Sequence, residues 1–384
     1  MKKLFAMVLA VVMVVGLFAG CGKQSGFDGK TVKLGFSGPL TGDAAMYGNA
    51  AKNAIELAIK EVNALGGIQF ELNAKDDVND AEKAVSAYND LVDWGMQIMV
   101  GTVTTTPCIA VAAEANKDRV FCLTPSASST EVTAGKDNMF QICFTDPNQG
   151  SASAQYIHEH MPDAKVAVIY DNSSAYSNGI YQTFVNEAKQ LGLNVVSEMS
   201  CNADTIDYTV QLDDAQNKGA DLVFLPIYCT PASAILNQAN TDGYKPVFFG
   251  VDGMDGILSI DGFDTKLAEG VMLLTPFAAD APDQKTQDFV AAYKAAYGET
   301  PNQFAADAYD CVYALYQAIN NAQLSEGASV SEICDAMIAQ FTTMTFSGLT
   351  GADMTWNAEG QVSKAPAAVV IENGVNVDLS LIHI

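Results

Sequence analysis

The sequence predicts an α/β protein built on parallel sheets and divided into two domains, and three observations carry that prediction. From residue 31 onward, short apolar runs alternate with amphipathic stretches of helical length, the pattern of parallel β-α units. The chain has 384 residues, more than one hydrophobic core usually holds. No linker rich in Pro, Gly or Ser divides it, so the chain is expected to cross between the domains more than once.

The elements follow in order. Thr31 to Phe36 reads as a strand, and Tyr47 to Ala64 as a helix, with Ala50, Ala54, Leu57, Ala58 and Val62 recurring near the helical period. Phe70 to Ala74 is a second strand, Ala81 to Trp94 a helix and Met96 to Val100 a third strand. Further strands are expected at Val120 to Leu123, Lys165 to Tyr170, Val195 to Met199, Leu222 to Pro226, Val247 to Gly250 and Val271 to Thr275. Helices begin between them near Pro107, Gln149, Gly179, Ile206 and Pro231. After Pro276 the rhythm changes to consecutive helices, Asp283 to Tyr297, Gln303 to Ala322 and Val330 to Phe341, as a return to the first domain requires. Crossovers fit at Gln141 to Asp146 and at Leu274 to Phe277, each a short extended run beside a proline. Leu379 to Ile384 matches nothing expected after Val369 to Gly374 and carries no functional signal.

The beginning of the chain has its own chemistry. Lys2 and Lys3 precede an apolar run from Leu4 to Ala19, shorter than the roughly 20 residues that a bilayer-spanning helix needs. The run ends on small residues before Cys21, so it reads as an export signal over residues 1–20. Gly22 to Gly26 then reads as a flexible tether.

Composition excludes several functions. A formal charge of −25 disfavours nucleic acid, which needs a basic face. Arg119 is the sole arginine, so an anionic ligand group falls to hydroxyls, backbone N–H groups or lysine rather than to a guanidinium clamp. Beyond Cys21 the cysteines Cys108, Cys122, Cys143, Cys201, Cys229, Cys311 and Cys334 show no C-x-x-C spacing, and several lie in apolar runs where a thiol acts as a small hydrophobe. His158 and His160 are two apart on a helical stretch and face different sides. There is no G-x-S-x-G elbow, H-E-x-x-H or P-loop, so an enzyme, a cofactor and a metal are all unsupported.

Ligands of parallel sheets bind beyond the carboxyl ends of strands, where helix N-termini point outward. Two hydroxyl-rich loops occupy such positions in the first half, Gly101 to Pro107 with three successive threonines, and Thr124 to Thr130. Either alone also reads as helix capping. Together on neighbouring strands they suit an anion. The second half offers Asp171 to Gly179 with Tyr176, Ile227 to Pro231 with Tyr228, and Gly250 to Gly253 with Asp252. Tyrosines and a carboxylate suit an ammonium group, although Asp252-Gly253 is also an ordinary turn pair.

Phe36 to Gly42 with Tyr47-Gly48, Gly101 to Thr106, Thr124 to Ser128, Tyr176, Gly250 to Gly253 and Ala308-Tyr309-Asp310, in this order and spacing, resemble the leucine/isoleucine/valine-type binding proteins of ATP-binding-cassette importers. The resemblance implies two Rossmann-like lobes with parallel sheets joined by three hinge crossovers, the Venus-flytrap arrangement. It implies lobe 1 over residues 29–144 and 277–348, and lobe 2 over 145–276 and 349–378. Thr105 becomes the first ligand of an α-carboxylate, Ser126 and Ser128 supply polar contacts, and Ala127 lines the pocket. Tyr176, Tyr228 and Asp252 meet the α-ammonium, Tyr47 closes the mouth and Phe304 forms part of the apolar wall. Phe18 to Cys21 resembles a lipobox, which implies a diacylated Cys21 at the start of a tether over residues 21–28. The expected partners are a small amino acid and a membrane permease, for a monomer held on the outer face of the cytoplasmic membrane, or in the periplasm, only by its lipid. Another small solute (an amide, a carboxylate or a sugar) and a sensory lipoprotein are the alternatives. Trp94 and Trp356, the only tryptophans, follow no strand at the expected cleft, which disfavours a sugar.

Overall fold

The computed structural model describes residues 26–364 and 367–379; the export segment, Cys21 and residues 380–384 lie outside the described residues. The first sheet contains β1 (Thr31–Gly38), β2 (Gln69–Asp76), β3 (Ile98–Gly101), β4 (Phe121–Thr124) and β5 (Met139–Gln141). Its order is β2-β1-β3-β4-β5, and every pairing is parallel. The second sheet contains β6 (Lys165–Asp171), β7 (Asn194–Cys201), β8 (Leu222–Leu225), β9 (Val247–Gly250), β10 (Met272–Thr275), β11 (Ala367–Glu372) and β12 (Val375–Asp378). It runs β12-β11-β10-β9-β8-β6-β7, parallel from β7 to β10 and antiparallel through β11 and β12.

Helices α1 (Ala45–Ala64), α2 (Ala81–Trp94) and α3 (Thr105–Asp118) connect the strands of the first sheet. Helices α4 (Asp146–His160), α5 (Ala175–Leu191), α6 (Thr209–Asn217) and α7 (Cys229–Asp242) serve the second. The expected 3.6-residue periodicity of α1 is realised, with Ala50, Ala54, Leu57, Ala58 and Val62 buried. Helices α8 (Gln284–Tyr297), α9 (Gln303–Ala322) and α10 (Val330–Phe341) return to the first sheet, α9 against α1 and α10 against β4. The chain therefore passes between the sheets three times. The first pass leaves β5 for α4, and the second leaves β10 for α8. The third runs through the bridges Phe346↔Met354 and Trp356↔Val362 to β11. It is clasped to the first pass, because Trp356 Nε1 donates to the Gln141 carbonyl (2.8 Å) and the Gln141 N–H to the Gly360 carbonyl (2.9 Å).

Several boundaries differ from expectation for local reasons. The helix expected from Ile206 starts at Thr209, because the Asp207 carboxylate takes both the N–H and the hydroxyl of Thr209. The helix expected near Gln149 starts at Asp146, with Pro147 in its first turn. The one expected near Gly179 starts at Ala175, capped by Ser174, whose hydroxyl accepts from the Ser177 N–H. The sequence reading assigned no strand to β5, β11 or β12. The last two form a hairpin about Asn373 and Gly374, both at positive φ (52° and 74°), the backbone that an Asn-Gly turn demands. All seven described cysteines are free and buried. Among the described residues no helix is long and apolar enough to cross a membrane.

Candidate functional site

The central strands end level, Ser37 beside Gly101 in the first sheet and Leu225 beside Gly250 in the second, so the loops beyond them converge. In the first sheet, Thr104 caps α3 and Thr105 opens it, and both hydroxyls are buried without a partner. The leading N–H groups of such a helix point beyond its end, toward any anion placed there. Gly101 lets the loop start this close to β1: it lies at φ +124°, and a Cβ would stand 2.8 Å from the Ser37 carbonyl oxygen. The next loop behaves differently along its length. The Ser126 hydroxyl donates to the Val103 carbonyl (2.6 Å), and the Ser126 and Ala127 N–H groups donate to the Thr124 hydroxyl. The Ala127 methyl packs into the cluster that includes Tyr88, Leu91 and Met96. Ser128 keeps its hydroxyl buried beside the Asp146 carboxyl.

The second sheet supplies the opposite chemistry. Asp252, beyond β9, is 3% exposed and accepts the Tyr176 hydroxyl through Oδ1 at 2.5 Å. That hydroxyl in turn accepts the Gly253 N–H at 2.9 Å. Glycine is required at 253, since a Cβ there would lie 2.4 Å from the Tyr176 oxygen. Tyr228 caps α7 and stacks on Tyr176, with ring centroids 4.7 Å apart and planes within 4°. Burial raises the Asp252 carboxyl to about 7, opposed by the Tyr176 hydroxyl, the Gly253 N–H and Gln149, with the charge of Asp307 adding to the rise. Burial and then the Asp252 charge push both tyrosine phenols up, and the Thr105 N–H opposes the rise at Tyr228.

Tyr47 joins the two sets. Its hydroxyl donates to the Gly253 carbonyl at 2.7 Å and accepts the Cys229 N–H at 2.8 Å, so one lobe-1 side chain spans two loops of the second sheet. Its ring meets Phe304 at 4.7 Å and Tyr228 at 5.5 Å. Thr230 adds a bond to the Asp43 carbonyl (3.2 Å), and Gln303 of α9 donates to the Asp252 carbonyl (2.9 Å). The lobes are closed on each other, and the cleft between them holds polar groups of both kinds.

The structure thus brings Tyr47, Tyr176, Tyr228, Asp252 and Phe304 into one connected cluster, with Thr105 and Ser128 facing it. It turns the Ser126 hydroxyl and the Ala127 methyl inward to lobe 1. Sequence reasoning passed over Asp146 and Gln149 on the first turn of α4. Asp146 is 1% exposed, and burial holds its carboxyl well above the usual carboxylate range, opposed by the Ser128 hydroxyl beside it, while the Gln149 side chain accepts the Asp252 N–H at 3.3 Å. An acid opening a helix reads as ordinary dipole complementarity, so the sequence held no signal for it. Arg119, immediately before β4, lies at the strand end away from the cleft and pairs with Asp137 and Asp335 at the surface. Buried Lys364 is paired with Asp307 and with the Thr350 hydroxyl.

Comparison with known proteins agrees with this geometry. The profile of a periplasmic binding protein family matches residues 31–374. A Leu/Ile/Val-binding protein homolog of Brucella melitensis is 30% identical over 227 residues, 58% of this chain and 61% of that relative's length. The leucine-, isoleucine-, valine-, threonine- and alanine-binding protein of Pseudomonas aeruginosa is 27% identical over 306 residues, 79% of this chain and 81% of that protein. Among solved structures, the branched-chain amino acid transporter substrate binding protein LivJ of Streptococcus pneumoniae, in complex with isoleucine, superposes with a TM-score of 0.82 at 30% identity. It covers 90% of this chain and 98% of that one. A solute binding protein of R. palustris in complex with benzoate superposes at 0.81 with 19% identity over 91% and 96% of the two chains, a likeness of fold alone.

Proposed function

The chain belongs to the periplasmic binding protein family, whose members bind solutes outside the cytoplasm and are not enzymes, and from that premise we propose that it takes up a small zwitterionic amino acid, branched-chain or related. One observation carries the reading: polar groups left without partners, or turned toward the cleft, are sorted by lobe. Thr104, Thr105 and Ser128 present hydroxyls and the start of α3 on one side, while Asp252, Tyr176 and Tyr228 stand on the other. A zwitterion needs both sets, because each charged end is desolvated on closure.

In this reading Thr105 and Ser128 receive the carboxylate, with Ser126 and Ala127 holding the loop that presents Ser128. Tyr176, Tyr228 and Asp252 receive the ammonium, and Tyr47 and Phe304 enclose the side chain. The ligand docks on lobe 1 in the open form. Closure adds the charge-assisted bonds of lobe 2, each worth about 1.5–3 kcal/mol, and the closed complex is delivered to the permease of an ATP-driven importer. The lobes divide at 144/145, 276/277 and 348/349, and the monomer is held to the membrane by a diacylated Cys21 after removal of residues 1–20.

Thermal shift of the chain from Gly22 onward tests the reading against the twenty amino acids, their amides, sugars, benzoate and dicarboxylates, since a ligand of the native state raises Tm. The expected result is a rise with one group of L-amino acids that is lost in Asp252→Ala. A rise with a sugar or an aromatic acid alone would keep the fold and overturn the ligand.

A further inference from the structure

Three polar side chains on α9, Gln303, Asp307 and Asp310, stand four and three residues apart, so they share one helix face. All three are buried, and each bonds a segment outside the helix. Gln303 donates its backbone N–H to Asp255 Oδ2 (2.8 Å), and its side-chain oxygen accepts the Thr275 hydroxyl at the end of β10 (3.1 Å). Asp310 accepts the N–H groups of Leu349 (2.8 Å) and Thr350 (2.9 Å) and the Thr350 hydroxyl (2.7 Å). The third pass lies hard against this acid, since a Cβ on Gly348 would stand 2.2 Å from its Oδ2. Between them, Asp307 accepts the ammonium of Lys364, which also donates to the Thr350 hydroxyl oxygen at 2.6 Å.

Among the described residues Lys364 is the sole buried lysine or arginine, against six buried aspartates, so where its charge sits is selective. Its side chain is fully enclosed and stands three residues before β11. On the division proposed above, Asp307 belongs to lobe 1 and Lys364 to lobe 2, so the pair spans the hinge. It also lies close to the ligand site. The Asp307 charge adds to the rise at Asp252, and the Cys143 thiol of the first pass, raised chiefly by burial, is pushed further by Asp307 and Asp252 and opposed by Lys364. One turn before Asp307, Phe304 meets Tyr47. The pair and Gln303 close a ring: Gln303 holds Thr275, Thr275 pairs with Ala367 across β10 and β11, and Lys364 returns to Asp307 on the same helix.

We infer that Lys364 is a positioning residue for ligand binding, which fixes the end of the third pass to α9 and thereby sets how tightly the lobes close on the amino acid. The inference rests on the amino-acid reading above. A buried ion pair seldom adds stability over an apolar pair of the same volume, and its best-attested use is to select one arrangement. Here the arrangement selected is the closed one. β11 begins three residues after Lys364 and pairs with β10, which pairs with β9, and Asp252 stands just beyond β9. Without the ammonium, the start of β11 loses its bond to α9, and Asp252 loses its fixed distance to Phe304 and Tyr47.

Stopped-flow kinetics with isoleucine and scanning calorimetry, both on the full mature chain, test this. In Lys364→Met, which removes the charge and keeps an unbranched side chain, dissociation should quicken about tenfold while association changes less than about twofold, because docking on lobe 1 precedes closure. Tm should fall, since Asp307 is left buried and uncompensated. Asp307→Asn combined with Lys364→Met removes both charges and should recover most of the lost Tm, yet keep the fast dissociation, because the bonds from residue 364 to α9 and Thr350 are still absent. The combined variant also serves if the single one does not fold. Dissociation that returns to the wild-type rate together with Tm, or that never changes, would make the pair a structural contact only and overturn the inference, with the amino-acid reading left standing. A wild type that binds no amino acid would overturn both.

Discussion

The two sheets share one strand order at their centres, β2-β1-β3-β4-β5 in the first lobe and β7-β6-β8-β9-β10 in the second. Equivalent loops therefore carry the site in both lobes: Thr105 after β3 corresponds in position to Tyr228 after β8, Ser128 after β4 to Asp252 after β9, and Tyr47 after β1 to Tyr176 after β6. The scaffold is repeated and the chemistry is inverted. Small hydroxyls and a helix start suit negative charge on one side, and rings with a carboxylate suit positive charge on the other. Topology fixes where a ligand sits, while the residues at equivalent strand ends fix which way round it lies.

That opposition can be broken from either side, and the effects should differ in kind. Asp252→Ala removes the anchor of Tyr176 as well as a charge, and amino-acid affinity should fall by about fivefold to about 150-fold, corresponding to about 1–3 kcal/mol. The loss should appear mainly as faster dissociation in stopped-flow records, because lobe 2 acts after docking. Thr105→Val takes a hydroxyl from the docking lobe and should lower affinity about tenfold through a loss common to open and closed complexes. An effect on dissociation alone would reverse the proposed order of events.

Tyr47→Phe keeps the ring against Phe304 but deletes the bonds to Gly253 and Cys229. Closed-state population, read by small-angle scattering at saturating ligand, should drop, with affinity reduced a few-fold, about 1 kcal/mol.

The smallest effect is on pH. Asp252 is raised to about 7 by burial and so binds protons in the folded state over a range where the unfolded chain has lost them. Its contribution to stability is present at low pH and is lost as pH rises through the folded value. Ligand-free Tm should therefore fall by about 2 °C or more between pH 5 and pH 8, and Asp252→Asn should flatten part of that slope. Asp255 and Asp307, both raised to about 6 by burial, contribute in the same direction. A ligand ammonium should reverse the sign at Asp252, which calorimetry in the bound form would show.

Much of this was legible in the sequence where local signals agree. The helices at Ala81–Trp94, Gln303–Ala322 and Val330–Phe341 match expectation, and each has a polar cap at its start: Asp80, Asn302 and Ser329. The two-lobed parallel fold followed from pattern and length. What was illegible is direction. Residues 126, 127 and 128 are adjacent and similar in size, yet one hydroxyl turns to Val103, one methyl enters the lobe-1 core and one hydroxyl lies beside the Asp146 carboxyl. Asp146 gains its place only because Ser128 and Gly179, distant in sequence, close around it. Strand β5 is three residues long, too short for any periodicity to register.

The buried thiols have a practical consequence. A thiol reagent reacts only as fast as the structure opens around each sulfur, so the chain carries its own set of clocks. Cys229 sits at the start of α7 with its sulfur 3.3 Å from the Gly253 carbonyl, within the loops that Tyr47 clasps, and separation of the lobes should expose it. Cys108 and Cys122 are sealed inside the first lobe and should wait for that lobe to unfold. Labelling rates followed by mass spectrometry would then time the opening of the cleft separately from the melting of its walls, with no probe added to the protein.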